Sequence, residues 1–311
     1  QFRFHHDGAT AGTSHYHWQV DDIAISSAPQ TDGHVFDGFC SHRGDGTEFG
    51  RIPQSQLSQM NLGAFMNNIG ATPMTNATIT AVITDNATNT VQATVSATTP
   101  SLDPGDTLSM SEWADVSSLA VGAYTVRFHG SSAEFAAEAD TTNNNWVRTF
   151  EVTPSDLGMN YSLDELGGHV AGTEQTDYIG TDQFTGGADD FWAFTYYPIT
   201  ADLDVNSIEL ELHPGSVAGG LLRVSIHDST NIVSDDPNSA LIESDDYVLT
   251  AADITAGTVV VPLPAPYTMT PGAYYAGVIM YSNNNQNDFG VVDDITIPQP
   301  NIAPPTAAPD R

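Results

Sequence analysis

The chain contains no lysine. All seven of its basic residues are arginine and they face thirty-nine Asp and Glu, which leaves a formal charge of −32. A surface of that sign repels nucleic acid and anionic membranes, which carry the same charge. Cations, basic partners and neutral glycans are the compatible ligand classes. High carboxylate density without lysine also suits a salty medium, where repulsion is screened within a few ångströms, so a marine or halophilic source is expected. Cysteine is almost as scarce: Cys40 stands alone, which excludes an intramolecular disulfide and a multi-cysteine zinc site. No apolar run approaches the roughly 20 residues of a membrane helix, and the first residues do not begin a signal peptide. If the chain is secreted, its export signal lies upstream and has been removed, and direct membrane insertion is not expected. The sequence also lacks the G-x-S-x-G elbow, the H-E-x-x-H helix, the phosphate-binding G-x-x-x-x-G-K and the dinucleotide G-x-G-x-x-G. It therefore reads as a non-enzyme.

What the chain does have is a repeat. Val20, Asp21, Asp22, Ile23, Ala24, Ile25 returns as Val292, Asp293, Asp294, Ile295, Thr296, Ile297. About 130 strand-patterned residues precede the second copy, enough for a sandwich. Only nineteen precede the first. The chain thus reads as opening inside a module whose body is missing, and as part of a longer modular protein. Residues 1–26 alternate as a hairpin (Phe2, Phe4; Tyr16, Trp18, Val20), and two strands alone are marginal in water. Residues 27–50, rich in glycine, read as an irregular connector. Strand patterns with turn signals then fill 51–153, followed by a linker at 154–158, a second strand-rich unit at 159–297 and a Pro/Ala-rich linker at 298–311. Leu249 to Ile254 reads as one short helical turn. The fold class is all-β, with tandem β-sandwiches behind an N-terminal β-hairpin.

Particular residues sharpen this reading. Asn67-Asn68-Ile69-Gly70, Leu102 to Gly105 before Asp106-Thr107, Gly122-Ala123-Tyr124-Thr125-Val126, and Asp140 through Asn143-Asn144 into Phe150-Glu151-Val152-Thr153 together resemble the bacterial CARDB-type adhesion domain, an immunoglobulin-like sandwich. The resemblance implies a spacer or adhesion module. Phe2-Arg3-Phe4-His5 with Trp18 to Ile23, and the strand-rich region ending in the second V-D-D-I, resemble the jelly-roll modules of secreted Bacteroidetes proteins, including the cleaved-adhesin and choice-of-anchor groups. Together the two likenesses imply an immunoglobulin-like unit at 51–153 followed by a jelly-roll-like one at 159–297, behind the hairpin of an incomplete jelly-roll module.

Several constellations bear on chemistry. Ca²⁺ takes six to eight oxygen ligands, and on a strand only one member of each Asp pair faces one way. Asp21, Asp22, Asp293 and Asp294 are the calcium candidates; the alternative is that they end a strand and guard its edge. Asp189-Asp190, Asp235-Asp236 and Asp245-Asp246 are weaker candidates of the same kind. His5, His6, His15 and His17 crowd the hairpin, but without Cys or a correctly spaced carboxylate they read as a polar face. Cys40 with His42 suggests a thiol nucleophile, but the two sit in a Gly-rich connector with no evident orienting partner. The adjacent acids Asp164-Glu165 cannot by themselves flank a glycosidic bond. Arg43-Gly44-Asp45 spells an integrin-type tripeptide in a Gly-rich acidic loop. Asn76, Asn86 and Asn160 begin N-x-S/T sequons. Phe191, Trp192, Phe194, Tyr196 and Tyr197 read either as a sugar-stacking platform or as ordinary core and cross-strand packing.

The combined expectation is a secreted or cell-surface adhesion or structural protein. Phe2, Phe4, Tyr16, Trp18, Val20, Ile23 and Ile25 are too large an apolar set to leave exposed on a hairpin. They are expected to pack on this chain's own second unit or to add to a neighbouring copy, self-associating into an oligomer or filament. A glycan or other cell-surface ligand is the further partner class. The rival reading is accessory carbohydrate-binding or spacer modules of a larger secreted hydrolase.

Overall fold

The computed structural model describes residues 29–42, 47–138, 140–159, 178–183, 190–232 and 240–292. Eight strands build the first unit: β1 (Gly33–Ser41), β2 (Arg51–Pro53), β3 (Gln59–Asn68), β4 (Met74–Asp85), β5 (Thr90–Leu102), β6 (Thr107–Asp115), β7 (Gly122–Ser131) and β8 (Asn145–Thr153). They form two sheets, ordered β1-β3-β6 and β2-β8-β7-β4-β5. All pairs are antiparallel except β2 with β8. Alternation explains the packing. Met60, Leu62, Ala64 and Met66 on β3 and Ile79, Ala81 and Ile83 on β4 are fully buried. They share one core with Val126 and Phe128 of β7 and Phe150 and Val152 of β8. At the start of β7 the buried Tyr124 ring stacks on Phe150, and its hydroxyl donates to the Ala120 carbonyl at 2.8 Å. That is the tyrosine-corner device of immunoglobulin-type sandwiches.

The second unit contains β9 (Tyr178–Gly180), β10 (Asp190–Ile199), β11 (Leu203–Glu211), β12 (Leu221–Asp228), the short helix α1 (Ser229–Ile232), β13 (Ile242–Glu243), β14 (Tyr247–Val248), α2 (Ala251–Ala256), β15 (Thr258–Met269), β16 (Gly272–Tyr281) and β17 (Gly290–Val292). One sheet runs β10-β16-β12-β13, with β14 also on β12; β11-β15 and β17-β9 are two-stranded. Val224, Ile226, Val278 and Met280 of the larger sheet meet Leu203, Val259, Val261 and Leu263 of β11 and β15 in a second core. The architecture is an all-β tandem of sandwiches. The expected helical turn is α2, held by a reciprocal capping box between Thr250 and Asp253 and closed by Gly257 at φ +72°, the left-handed value glycine tolerates.

One expectation needs correcting. Residues 27–50 are not wholly an irregular connector, because Gly33–Ser41 forms β1 and belongs to the first sandwich, so that unit starts before residue 51. The alternation was hidden by a register shift between Phe36 and Phe39. Gly38 sits in that irregularity because a Cβ there would come within 2.4 Å of the Trp146 ring and 2.7 Å of Phe128. A glycine that looked like a loop signal is there for close packing.

Candidate functional site

Many sequence candidates lie outside the described residues: Asp21, Asp22, Asp293 and Asp294; His5, His6, His15 and His17; Phe2, Phe4, Tyr16, Trp18, Val20, Ile23 and Ile25 of the hairpin; Arg43-Gly44-Asp45; Asp164-Glu165; Asp235-Asp236; and Asn160. The second V-D-D-I copy enters the description only at Val292, paired with Tyr178. Asp246 is engaged by Arg223, which also donates to Glu243 at 3.0 Å. Asn76 and Asn86 are both exposed. Among the described residues no three His, Cys, Asp or Glu side chains come together as a ligand set, and no helix is long and apolar enough to cross a membrane.

Cys40 and His42 are both buried at the end of β1. The Cys40 thiol is pushed up by burial and by neighbouring Glu48, with Arg148 offsetting part of this. It stays protonated, the opposite of what a nucleophile needs. His42 lies between Phe49, 5.2 Å away centroid to centroid, and Phe150, at 6.5 Å. Among the described residues neither of its ring nitrogens has a hydrogen-bond partner, and burial lowers its pKa to about 3. Beside them is a pair that sequence reasoning missed. Glu48, with a fully buried side chain, accepts from Arg148 Nε at 3.1 Å and from a terminal guanidinium nitrogen at 2.5 Å, while its other oxygen accepts from the Cys40 N–H at 3.2 Å. This ion pair ties the chain after β1 to β8. The cluster is structural.

The aromatics of β10 are split by the strand's period of two. Trp192, Phe194 and Tyr196 lie on the outer side of the β10-β16-β12 sheet, whereas Tyr197 turns toward the two cores. The single five-ring platform read from sequence therefore does not form as one surface, and the Phe191 side chain lies outside the description. On the outer side, Trp192 and Phe194 are 6.0 Å apart, Phe194 meets His227 edge-on at 5.3 Å, and Tyr196 meets Tyr275 at 5.4 Å. Phe194 lies across Gly277, where a Cβ would approach its ring to 2.3 Å. Beneath it the buried His227 Nε2 shares a 2.9 Å hydrogen bond with Ser225 Oγ. Burial lowers the His227 pKa, against an opposing pull from Glu243 and Asp228.

On the inner side, Tyr197 builds the junction between the two sandwiches. Its ring stacks on Phe49 at 6.1 Å and 12°, and burial pushes its phenol pKa up, partly offset by Arg51. A 3-10 turn at Gln54–Gln56 presents Gln56 to the β10–β11 turn. The buried Gln56 amide donates to Ala201 O at 2.7 Å and accepts from Thr200 N at 2.9 Å and Ala201 N at 3.3 Å, and Thr200 Oγ1 donates to Gln56 O at 3.0 Å. The connecting residues are laced back onto β2 by the reciprocal Arg51–Gly158 backbone bonds of 3.0 and 2.9 Å. Arg51 also reaches Glu209 at 3.7 Å. Beside this junction lies a cleft of about 320 Å³ whose walls include Arg51, Leu157, Tyr197, Glu209, Met269 and Tyr274.

The fold and junction define a tandem β-sandwich protein. No family model and no curated protein matches the chain. Among solved structures it is similar to the CARDB domain of a Pyrococcus furiosus protein in complex with di-metal ions, at 12% identity over 44% of this chain and 100% of that one, with a TM-score of 0.29. It is also similar to β-glucosidase 3B from Thermotoga neapolitana, at 13% identity over 39% of this chain and 17% of the enzyme, with a TM-score of 0.24. The secreted serine protease VesC from Vibrio cholerae is 8% identical over 79% of this chain and 51% of the protease, with a TM-score of 0.21.

Proposed function

We propose that this chain is a non-enzymatic adhesion or structural element of the cell surface or extracellular space, built from β-sandwich modules held in fixed relation. The junction is the observation that carries this reading. Gln56 is buried against Thr200 and Ala201, Phe49 is stacked on Tyr197, and the connection is bonded onto β2. Contacts of this kind suit a stiff spacer, whereas a flexible tether leaves its modules independent. The acidic, lysine-free composition supports an outward-facing location. Calcium at Asp21/Asp22 or Asp293/Asp294, and strand addition through Phe2, Phe4, Tyr16, Trp18, Val20, Ile23 and Ile25, belong to the same proposal. Calorimetry tests it: the two sandwiches should unfold as one coupled unit. The double variant Phe49→Ala/Gln56→Ala should separate that transition into two. Two independent transitions in the unaltered chain would sink the spacer reading.

The outer row Trp192, Phe194, Tyr196 and Tyr275 favours a second reading, an accessory carbohydrate-binding module of a larger secreted hydrolase. Co-sedimentation with insoluble polysaccharides, lost in Trp192→Ala with an unchanged melt, would support it. Absence of binding across neutral glycans would remove it.

A further inference from the structure

The described strand edges are not equally protected. Edge strands invite pairing with another chain, and natural sheets blunt them with charge, proline or bulges. β1 carries Asp37, β6 carries Glu112 and Asp115, β10 carries Asp190 and Pro198, and β11 carries Asp204, Glu209 and Glu211. β15 has no charge but carries Pro262, Pro264 and Pro266, three positions with no N–H to offer an incoming strand. β9, β14 and β17 are uncharged but only two or three residues long; among the longer described edge strands β5 is the exception. It is thirteen residues long, forms the outer edge of the β2-β8-β7-β4-β5 sheet, and has neither a charged residue nor, before Pro100, a proline. A register shift against β4 confines the regular part to Ala93 and beyond. That leaves Ala93-Thr94-Val95-Ser96-Ala97-Thr98-Thr99, a seven-residue neutral run of strand-forming and small residues. Ala93, Val95 and Ala97 lean on the core, whereas Thr94, Ser96 and Thr98 are exposed.

In a chain of net charge −32, most surfaces of two copies meet carboxylate to carboxylate. The β5 edge does not. We propose that β5 is a homotypic pairing edge: two copies join antiparallel about a two-fold axis through Ser96, so that the two five-stranded sheets become continuous. The sequence is self-complementary in that register. Thr94 faces Thr98 of the second copy, Val95 faces Ala97, and Ala93 faces Thr99. Cross-strand Thr pairs and β-branched contacts stabilise such a ladder, and an isologous contact closes as a dimer rather than propagating. Strand pairing of this length buries less surface than a standard permanent interface. The dimer is therefore weak and concentration-dependent, and it is effective where copies are already crowded. This inference is independent of the N-terminal hairpin.

Sedimentation velocity at about 0.15 M salt, where charges are screened beyond about 8 Å, reads it out on the full chain. The expected result is a monomer–dimer equilibrium. Ser96→Glu, at an exposed position where the melt should stay unaltered, should place two like charges face to face and weaken the dimer by about tenfold or more. Thr94→Glu serves as a second probe, opposing Thr98 rather than itself. Ser96→Lys alone should also weaken it, and mixing Ser96→Glu with Ser96→Lys should restore dimer as the mixed species, which only a contact placing 96 against 96 predicts. The proposal is overturned if the chain stays monomeric at every concentration or if Ser96→Glu assembles like the unaltered chain. It is overturned equally if the charge-swapped mixture fails to recover. Assembly lost on deleting residues 1–26 but indifferent to Ser96→Glu would assign the contact to the hairpin instead.

Discussion

Acid should destabilise the fold through one imidazole in the first sandwich. His42 is 6% exposed, is flanked by Phe49 and Phe150, and among the described residues has no partner for either ring nitrogen. The fold accepts only its neutral form, which is why its pKa falls from an ordinary 6.5 to about 3. Because the folded pKa is the lower one, the unfolded chain binds the proton first. The contribution is fully present above about pH 6.5 and is lost progressively as pH drops toward about 3. Between pH 7 and pH 4 those two pKa values correspond to about 3 kcal/mol of lost stability, at about 1.4 kcal/mol per unit. Urea unfolding at a series of pH values, compared between the native chain and His42→Phe or the smaller His42→Leu, isolates this effect. Carboxylates held low by hydrogen bonds, such as Asp115 and Asp140 with their Ser117 and Thr142 partners, titrate in both chains and cancel in the difference. The variant should lose less stability on acidification, and the gap should open below pH 6.5. Parallel curves would show that His42 protonates in the folded state without penalty, refuting the reasoning.

Three other outcomes are expected. Arg148→Met strands the buried Glu48 carboxylate and should cost about 3–5 kcal/mol, whereas Glu48→Leu/Arg148→Met should recover much of that loss; equal losses in the two variants would contradict it. Gly38→Ala should destabilise by about 1–3 kcal/mol because its methyl meets the Trp146 and Phe128 rings, and an unchanged urea midpoint would show that those rings yield freely. If Asp21/Asp22 or Asp293/Asp294 hold calcium, exhaustive chelation should lower the melting temperature, since a ligand bound only by the folded state stabilises it; an unchanged melt counts against calcium.

The sequence made the strands legible where alternation was regular. Ala77 to Thr84, Tyr124 to Gly130 and Tyr274 to Tyr281 all fall inside observed strands. Tyr124, singled out within a family-like motif, is the tyrosine corner. Alternation failed at β1, where the irregularity at Asp37-Gly38 broke the period and the packing glycine mimicked a loop. The β10 aromatics were recognised as a group, but Tyr197 belongs to the opposite face from Trp192, Phe194 and Tyr196, a division the period of two already contained. Glu48 and Arg148 are one hundred residues apart, and no local pattern links them. The available signal was scarcity: with only seven arginines in the chain, one between Trp146-Val147 and Phe150 in a strand pattern was a candidate for a buried partner. The junction was illegible for another reason, because Gln56 and Thr200 become neighbours only when both sandwiches are complete.

A stiff spacer requires the two sandwiches to keep one relative orientation. Residual dipolar couplings of backbone amides in β3, β4 and β7 and in β12, β15 and β16, measured in a single alignment medium, test it most directly. One alignment tensor should fit both groups, and Phe49→Ala/Gln56→Ala should reduce the alignment of one group relative to the other. Two tensors of different magnitude in the unaltered chain would contradict it.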